Sequence, residues 1–186
     1  MRRLVLLLLA TSGLALGACS PFGSSTSTTT TTLPAITTAT LCSSIPRIDQ
    51  LIVTRHVKVA GYSYTFHRII RVTDAQAAQR VASAMCALPN LPYGTHCSAA
   101  LAVSYTLQFG YSVPPPSPSM LRQSEAFVTF TMEPTGCQVV IGTPGVASAR
   151  WIAQRQSFYR VLGDAMGIRS ASLITFAGYG PTALRP

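Results

Sequence analysis

Between Leu51 and Val72 the chain alternates with a period of two. Leu51, Val53, Val57 and Val59 alternate with Ile52, Thr54, His56 and Lys58, and beyond Gly61 the pattern resumes through Tyr62, Tyr64, Phe66, Ile70 and Val72. Alternation of this kind sends successive side chains to opposite faces of a strand, so the segment predicts two strands turning at Gly61. Arg55 and Arg68 interrupt it, because both fall on the apolar parity. Either each strand bulges there, or both guanidinium groups reach a buried or rim position and need partners. The acidic residues are few (Asp49, Asp74, Glu125, Glu133, Asp164), which leaves carbonyl oxygens to serve.

The period then changes to that of a helix. Across Thr73 to Leu88, Ala78, Val81, Ala82, Met85 and Leu88 share one face, Thr73 with Gln76 reads as a capping box, and Pro89 stops the run. Leu101, Val103, Tyr105, Leu107 and Phe109 alternate with Ala102, Ser104, Thr106 and Gln108, a strand. The stretch 110–123 reads as a loop whose prolines favour an extended path. Ala126, Val128, Phe130 and Met132 mark a fourth strand, and Cys137, Val139 and Ile141 a fifth. Trp151, Arg155, Phe158, Leu162 and Ala165 form one face of a last helix closed by Gly167 in the left-handed region. Residues 170–186 either add a short strand at Ser172 to Phe176 or trail. The expected fold is α+β: an antiparallel sheet of about five strands, two helices on one face, in the order ββαβββα.

The N-terminus is built differently. Arg2 and Arg3 precede an apolar run from Leu4 to Leu16, broken by Thr11, Ser12 and Gly13 and too short for a confident span of about 20 apolar residues. The run ends Leu16-Gly17-Ala18-Cys19, which resembles the lipobox of bacterial lipoproteins, whose cysteine is acylated before cleavage. That resemblance implies a signal peptide over 1–18, lipidation at Cys19 and an extracytoplasmic location at the cell membrane. Ordinary cleavage after Gly17 is the alternative. Residues 19–41 read as a lipidated cysteine followed by a Ser/Thr-rich tether, with too little apolar surface to offset the entropy of ordering. As a flexible chain it spans on the order of 25 Å. The globular domain is expected over 42–168 and a tail over 169–186.

The formal net charge is +9, carried by arginine with Lys58 as the one lysine. The arginines are scattered. Arg150, Arg155 and Arg160, five apart, spread around a helix axis and make no stripe. This argues against nucleic acid as the partner and for diffuse attraction to anionic head groups or envelope polymers. Cys42, Cys86, Cys97 and Cys137 remain besides Cys19, an even number in an exported chain, and imply two disulfides with three pairings open. Cys86–Cys97 with Cys42–Cys137 is preferred, the first closing a short loop just after a helix. In the chain-entropy model the short loop contributes ~3 kcal/mol and the long one ~4–5.

Catalytic and metal chemistry leave little trace. His56, His67 and His96 have no metal-ligand spacing, although His56 and His67 can face each other across the first hairpin. No Gly-x-Ser-x-Gly elbow, phosphate loop or dinucleotide fingerprint occurs, so neither a cofactor nor a metal is expected. Glu125 and Glu133 stand at opposite ends of one strand, roughly 27 Å apart at ~3.4 Å per residue, too far for paired-carboxylate work.

The run Cys86-Ala-Leu-Pro89, Pro92-x-Gly94, Cys97, Tyr105-x-Leu-x-Phe109 and Gly136-Cys137-x-x-Val140 resembles small exported actinobacterial lipoproteins of unknown function over most of 50–166. Those motifs are structural, so the resemblance implies fold and location and no activity. A more distant likeness is to the Streptomyces subtilisin inhibitor family, from which the cysteine arrangement departs. The expectation is a non-enzymatic envelope lipoprotein, anchored by lipid, that binds an envelope protein or anionic polymer. The alternatives are an inhibitor presenting loop 110–120 or 87–97 to a protease, and a small exported hydrolase.

Overall fold

The computed structural model describes residues 36, 40–98, 103–113, 124–142, 149–153 and 155–179. Two 3-10 turns, Leu41–Ser43 and Ile45–Arg47, precede β1 (Gln50–Val57) and β2 (Ile69–Val72). There follow α1 (Ala75–Cys86), β3 (Val103–Val113), β4 (Ser124–Glu133), β5 (Val139–Gly142), β6 (Arg150–Trp151), α2 (Ser157–Ala165) and α3 (Leu173–Ala177). The six strands pair antiparallel in the order β2-β1-β3-β4-β5-β6, an α+β fold.

The period-two residues decide which face is covered. Leu51 and Val53, Tyr105, Leu107 and Phe109, Val128, Phe130 and Met132, and Val140 are all buried on one side of the sheet. There they join Val81, Ala82 and Met85 of α1 and Phe158, Tyr159 and Leu162 of α2 in a single core. The opposite side carries Thr54, His56, Thr106 and Gln108, half-buried, with Phe127 and Ile141 exposed. This is the usual division of an antiparallel sheet with one packed and one solvated face.

Several elements differ from expectation, each for a local reason. The second strand is short: one backbone bond, at Arg68, extends past its end, and residues 62–67 fold over the covered face, where Ser63 bridges to Tyr179. Asp74 rather than Thr73 caps α1, its Oδ1 accepting from the amides of Gln76 (2.9 Å) and Ala77 (3.3 Å). β3 runs through Gly110 to Val113 instead of ending at Phe109, since β4 continues opposite it to Ser124. Arg150 and Trp151 are strand, not helix. The Trp151 amide donates to the carbonyl of Pro89 (2.8 Å) and that of Ile152 to Gln138 (2.7 Å), bonds a helix there would forfeit. The last helix therefore starts at Ser157, and Gly167 at φ 75° closes it as expected. Ser172 to Phe176 is a helical turn with a Ser172–Thr175 capping box, not a strand.

The core also reaches past the expected 42–168 range. Ile36 and Leu41 are buried within it, and so are Ala171 and Phe176. The Ile36 amide donates to the Tyr111 hydroxyl at 2.8 Å.

Both disulfides form, with a pairing other than the preferred one: Cys42–Cys86 and Cys97–Cys137, Cα atoms 5.7 and 4.9 Å apart. α1 packs against the two 3-10 turns, which brings its last residue to Cys42. Beyond α1 the chain runs along the β6 edge, with the Leu91 amide on the Ala149 carbonyl (2.8 Å) and Asn90 bridged to Arg150. That path carries Cys97 away from Cys86 and toward Cys137, which precedes β5. The closures span 44 and 40 residues, so each contributes about 4 kcal/mol in the chain-entropy model.

Candidate functional site

The β1–β2 ladder pairs Thr54 with Ile69, and the next rung outward sets Arg55 opposite Arg68, the Arg55 amide donating to the Arg68 carbonyl at 2.8 Å. Cross-strand partners share a face, so both guanidinium groups leave the sheet on the side of Leu51 and Val53. They stand at the rim, where helical cover gives way to the segment 62–68.

Arg55 is half-buried in an aromatic frame. Its Cζ lies 3.9 Å from the Tyr64 ring centroid and 4.9 Å from that of Phe66, within cation–π range. One terminal N–H donates to the Phe66 carbonyl at 3.0 Å. Nε of Arg55 is buried with no hydrogen-bond partner, as is the Tyr64 hydroxyl. Arg68 is exposed, and its Nε donates to the Arg55 carbonyl over a long 3.4 Å. Carbonyl oxygens thus serve both arginines, and neither has a carboxylate partner among the described residues.

The frame behind them is a packed cluster of rings. Phe176 of α3 stacks on Tyr159 and meets Tyr105 edge-on, each at 5.5 Å between centroids, while Phe66 packs on Phe176 at 5.9 Å. The Tyr105 hydroxyl donates to the Phe176 carbonyl at 2.7 Å. Burial pushes the Tyr105 and Tyr159 hydroxyls well above the ordinary tyrosine range; at Tyr105 nearby Arg55 pulls the other way. Tyr64 is raised too, first by burial, with Arg55 again opposing. Gly178 lets the hydroxyl end of the Tyr64 ring approach the backbone: its φ is 83°, and a Cβ there would come within 2.7 Å of the ring. Between the arginines opens a cleft of about 220 Å³ lined by Arg55, Val57 and Arg68.

The other expected site residues lie apart. Cys19 is outside the described residues, as are 114–120 of the proline-rich loop, whose first residues belong to β3. His56 points to the open face, its Nε2 2.7 Å from the Thr106 hydroxyl, and His67 and His96 are exposed. Among the described residues no three His, Cys, Asp or Glu side chains gather to hold a metal, and no helix is long and apolar enough to cross a membrane. In the loop 87–97, the Thr95 amide and hydroxyl both reach the Pro92 carbonyl (3.3 and 2.7 Å), closing a turn with Tyr93 fully exposed at its tip.

A second cleft, about 370 Å³, lies at the start of α2 between Gln156, Ser157, Arg160, Ser170 and Ser172. Nothing in the sequence pattern pointed to it, because its walls are the start of α2 and the segment 170–172, which folds back so that Ala171 packs against Gly163. Val57 in the first cleft fits the sequence pattern as an ordinary apolar strand position. Neither a protein family, nor a curated protein, nor a solved structure matches the chain.

Proposed function

We propose that this chain is a cell-envelope lipoprotein, anchored through Cys19, whose disulfide-held domain binds an envelope component without catalysing a reaction on it. The anchor rests on the Leu16-Gly17-Ala18-Cys19 lipobox and the basic, apolar leader before it. Two or three acyl chains at that cysteine give stable membrane attachment where one chain gives only a marginal one. The binding role rests on one observation: Arg55 and Arg68, without carboxylate partners among the described residues, line a single cleft. Guanidinium groups keep their charge across the working pH range, which suits them to hold an anion and unsuits them to shuttle protons.

The test is a native mass spectrum of the protein extracted from its own membranes in mild detergent. Acyl chains, four missing thiol protons and a further bound species support the reading. A mass without lipid refutes the anchor, and a protein that turns over a substrate while Arg55 and Arg68 are both replaced refutes the binding role.

Protease inhibition is the second reading, favoured by the Tyr93 turn. Cys86 and Cys97, at either end of the loop, are each bonded elsewhere, so the tip is held from both sides. Rigid presentation of an aromatic side chain lowers the ordering cost of binding. Tyr93→Ala abolishing an observed inhibition supports this reading; unchanged inhibition removes it.

A further inference from the structure

We propose that the cleft between Arg55 and Arg68 is a phosphate site, receiving one phosphoryl group, free or esterified, between the two guanidinium forks. This rests on the binding role above and names the chemistry that role would recognise.

Three observations carry it. First, one backbone bond past the last pair of the ladder, from the Arg55 amide to the Arg68 carbonyl, sets two like charges side by side, an arrangement that destabilises a sheet unless a counter-charge sits between them. The described residues provide no carboxylate there. Second, the donors are held in place and still unspent. A guanidinium has five N–H groups; Arg68 uses one, on the Arg55 carbonyl, while Arg55 gives one to the Phe66 carbonyl, also interacts with the Tyr105 hydroxyl and keeps its Nε buried, leaving terminal N–H groups for a ligand. The rings of Tyr64 and Phe66 fix Arg55, so little rotamer freedom remains to be lost on binding. Third, the space is small. A cleft of about 220 Å³ falls below the roughly 300–1,000 Å³ of pockets that enclose whole small molecules. It admits a head group and leaves the remainder of the ligand outside, past exposed Val57. A carboxylate has two coplanar oxygens and is satisfied by one fork, whereas the tetrahedral oxygens of a phosphoryl group can accept from two forks at once.

Equilibrium dialysis of the full chain in non-ionic detergent against labelled inorganic phosphate tests the site. Saturable binding is expected, weakened about ten- to a hundredfold by Arg68→Gln, as the loss of a charge-assisted bidentate contact implies. Arg71→Gln removes the same charge from the other face of β2, where Arg71 bonds Gln50 at 3.0 Å, and should leave binding within about twofold. Arg55→Lys, which keeps the charge and loses the fork, should fall between them. Competition with short-chain phosphatidylglycerol and with glycerol phosphate separates the sources. Displacement by the lipid alone assigns the site to a head group, and equal displacement to free or polymer-borne phosphate. No saturable phosphate binding, or equal weakening by Arg68→Gln and Arg71→Gln, overturns the inference. A bound species in the native mass spectrum that survives Arg68→Gln would overturn it while leaving the binding role standing.

Discussion

Strand β1 lays Leu51, Val53, Arg55 and Val57 along one stripe of one face, and the two halves of that stripe meet different covers. Over the inner half lies the core shared with α1 and α2, and Leu51 and Val53 are sealed. Over the outer half lies a connection, residues 58–68, which supplies two rings and a carbonyl and stops short of closing the face. Val57 is left 43% exposed and Arg55 half-buried. Alternation fixes the side to which a residue points. How deep it goes depends on what the chain lays above it, and that is decided elsewhere in the sequence.

Substitutions can break or sharpen this contrast. The largest effect is expected at the sealed end: Leu107→Ala, under the helices, should cost about 3 kcal/mol in denaturant unfolding, a cavity being left where the packing cannot collapse. A loss under 1 kcal/mol would mean that the inner half is as loosely covered as the rim. Next comes alkaline pH. Tyr105 and Tyr159 have folded-state pKa values raised above the unfolded value of 10.0. Their contribution is therefore fully present below about pH 10 and lost above it, at about 1.4 kcal/mol per pH unit for each tyrosine while only the unfolded chain ionises. Thermal melts from pH 8 to 11 should show this fall, and Tyr159→Phe should make it shallower. A flat profile would place both hydroxyls in contact with water.

Smaller effects probe the boundary itself. Tyr105→Phe should cost roughly 1–2 kcal/mol, because the Phe176 carbonyl, 2.7 Å from the hydroxyl, is left unpaired under the frame. Arg68→Gln should change stability least, within about 0.5 kcal/mol, and in the stabilising direction at low salt as the like-charge rung is relieved. A clear destabilisation there would show that Arg68 holds the frame together and does not merely line its mouth.

Much of this was legible in the chain. The parity of Arg55 and Arg68 leaves either a bulge or a rim or buried position, and the shortage of acids points to carbonyl partners; the structure has the rim position and the carbonyls. The spacing of Ala78, Val81, Ala82 and Met85 predicts the helix and the face it buries, over 73–88 where the structure has 75–86. The rest failed where two structures share one periodicity. Tyr64 and Phe66 alternate as a strand would, but they alternate because one row packs on the core from a folded-back connection. Trp151 and Arg155 fit a helical stripe, yet Trp151 answers to the carbonyl of Pro89, a partner 62 residues away from it in the chain that no local pattern encodes. Phe176, the hub of the aromatic frame, stands in a segment whose pattern reads as a short strand or a trailing tail, and it is a helix. The Ser172–Thr175 box was the available signal for its helix. The disulfide pairing went the same way: loop length favoured Cys86–Cys97, while the path along the β6 edge settled it otherwise.

The Cys42–Cys86 bond bears on what happens when the protein is pulled. Arg55 and Arg68 both lie within the loop it closes. If, as proposed, the domain hangs from Cys19 and grips something at its cleft, tension enters from the N-terminal side, meets buried Ile36 first and then reaches Cys42. There it divides, one branch running through the 3-10 turns into β1 and the other across the covalent bond into the end of α1. The segment carrying the cleft is thus tied to the chain at both ends.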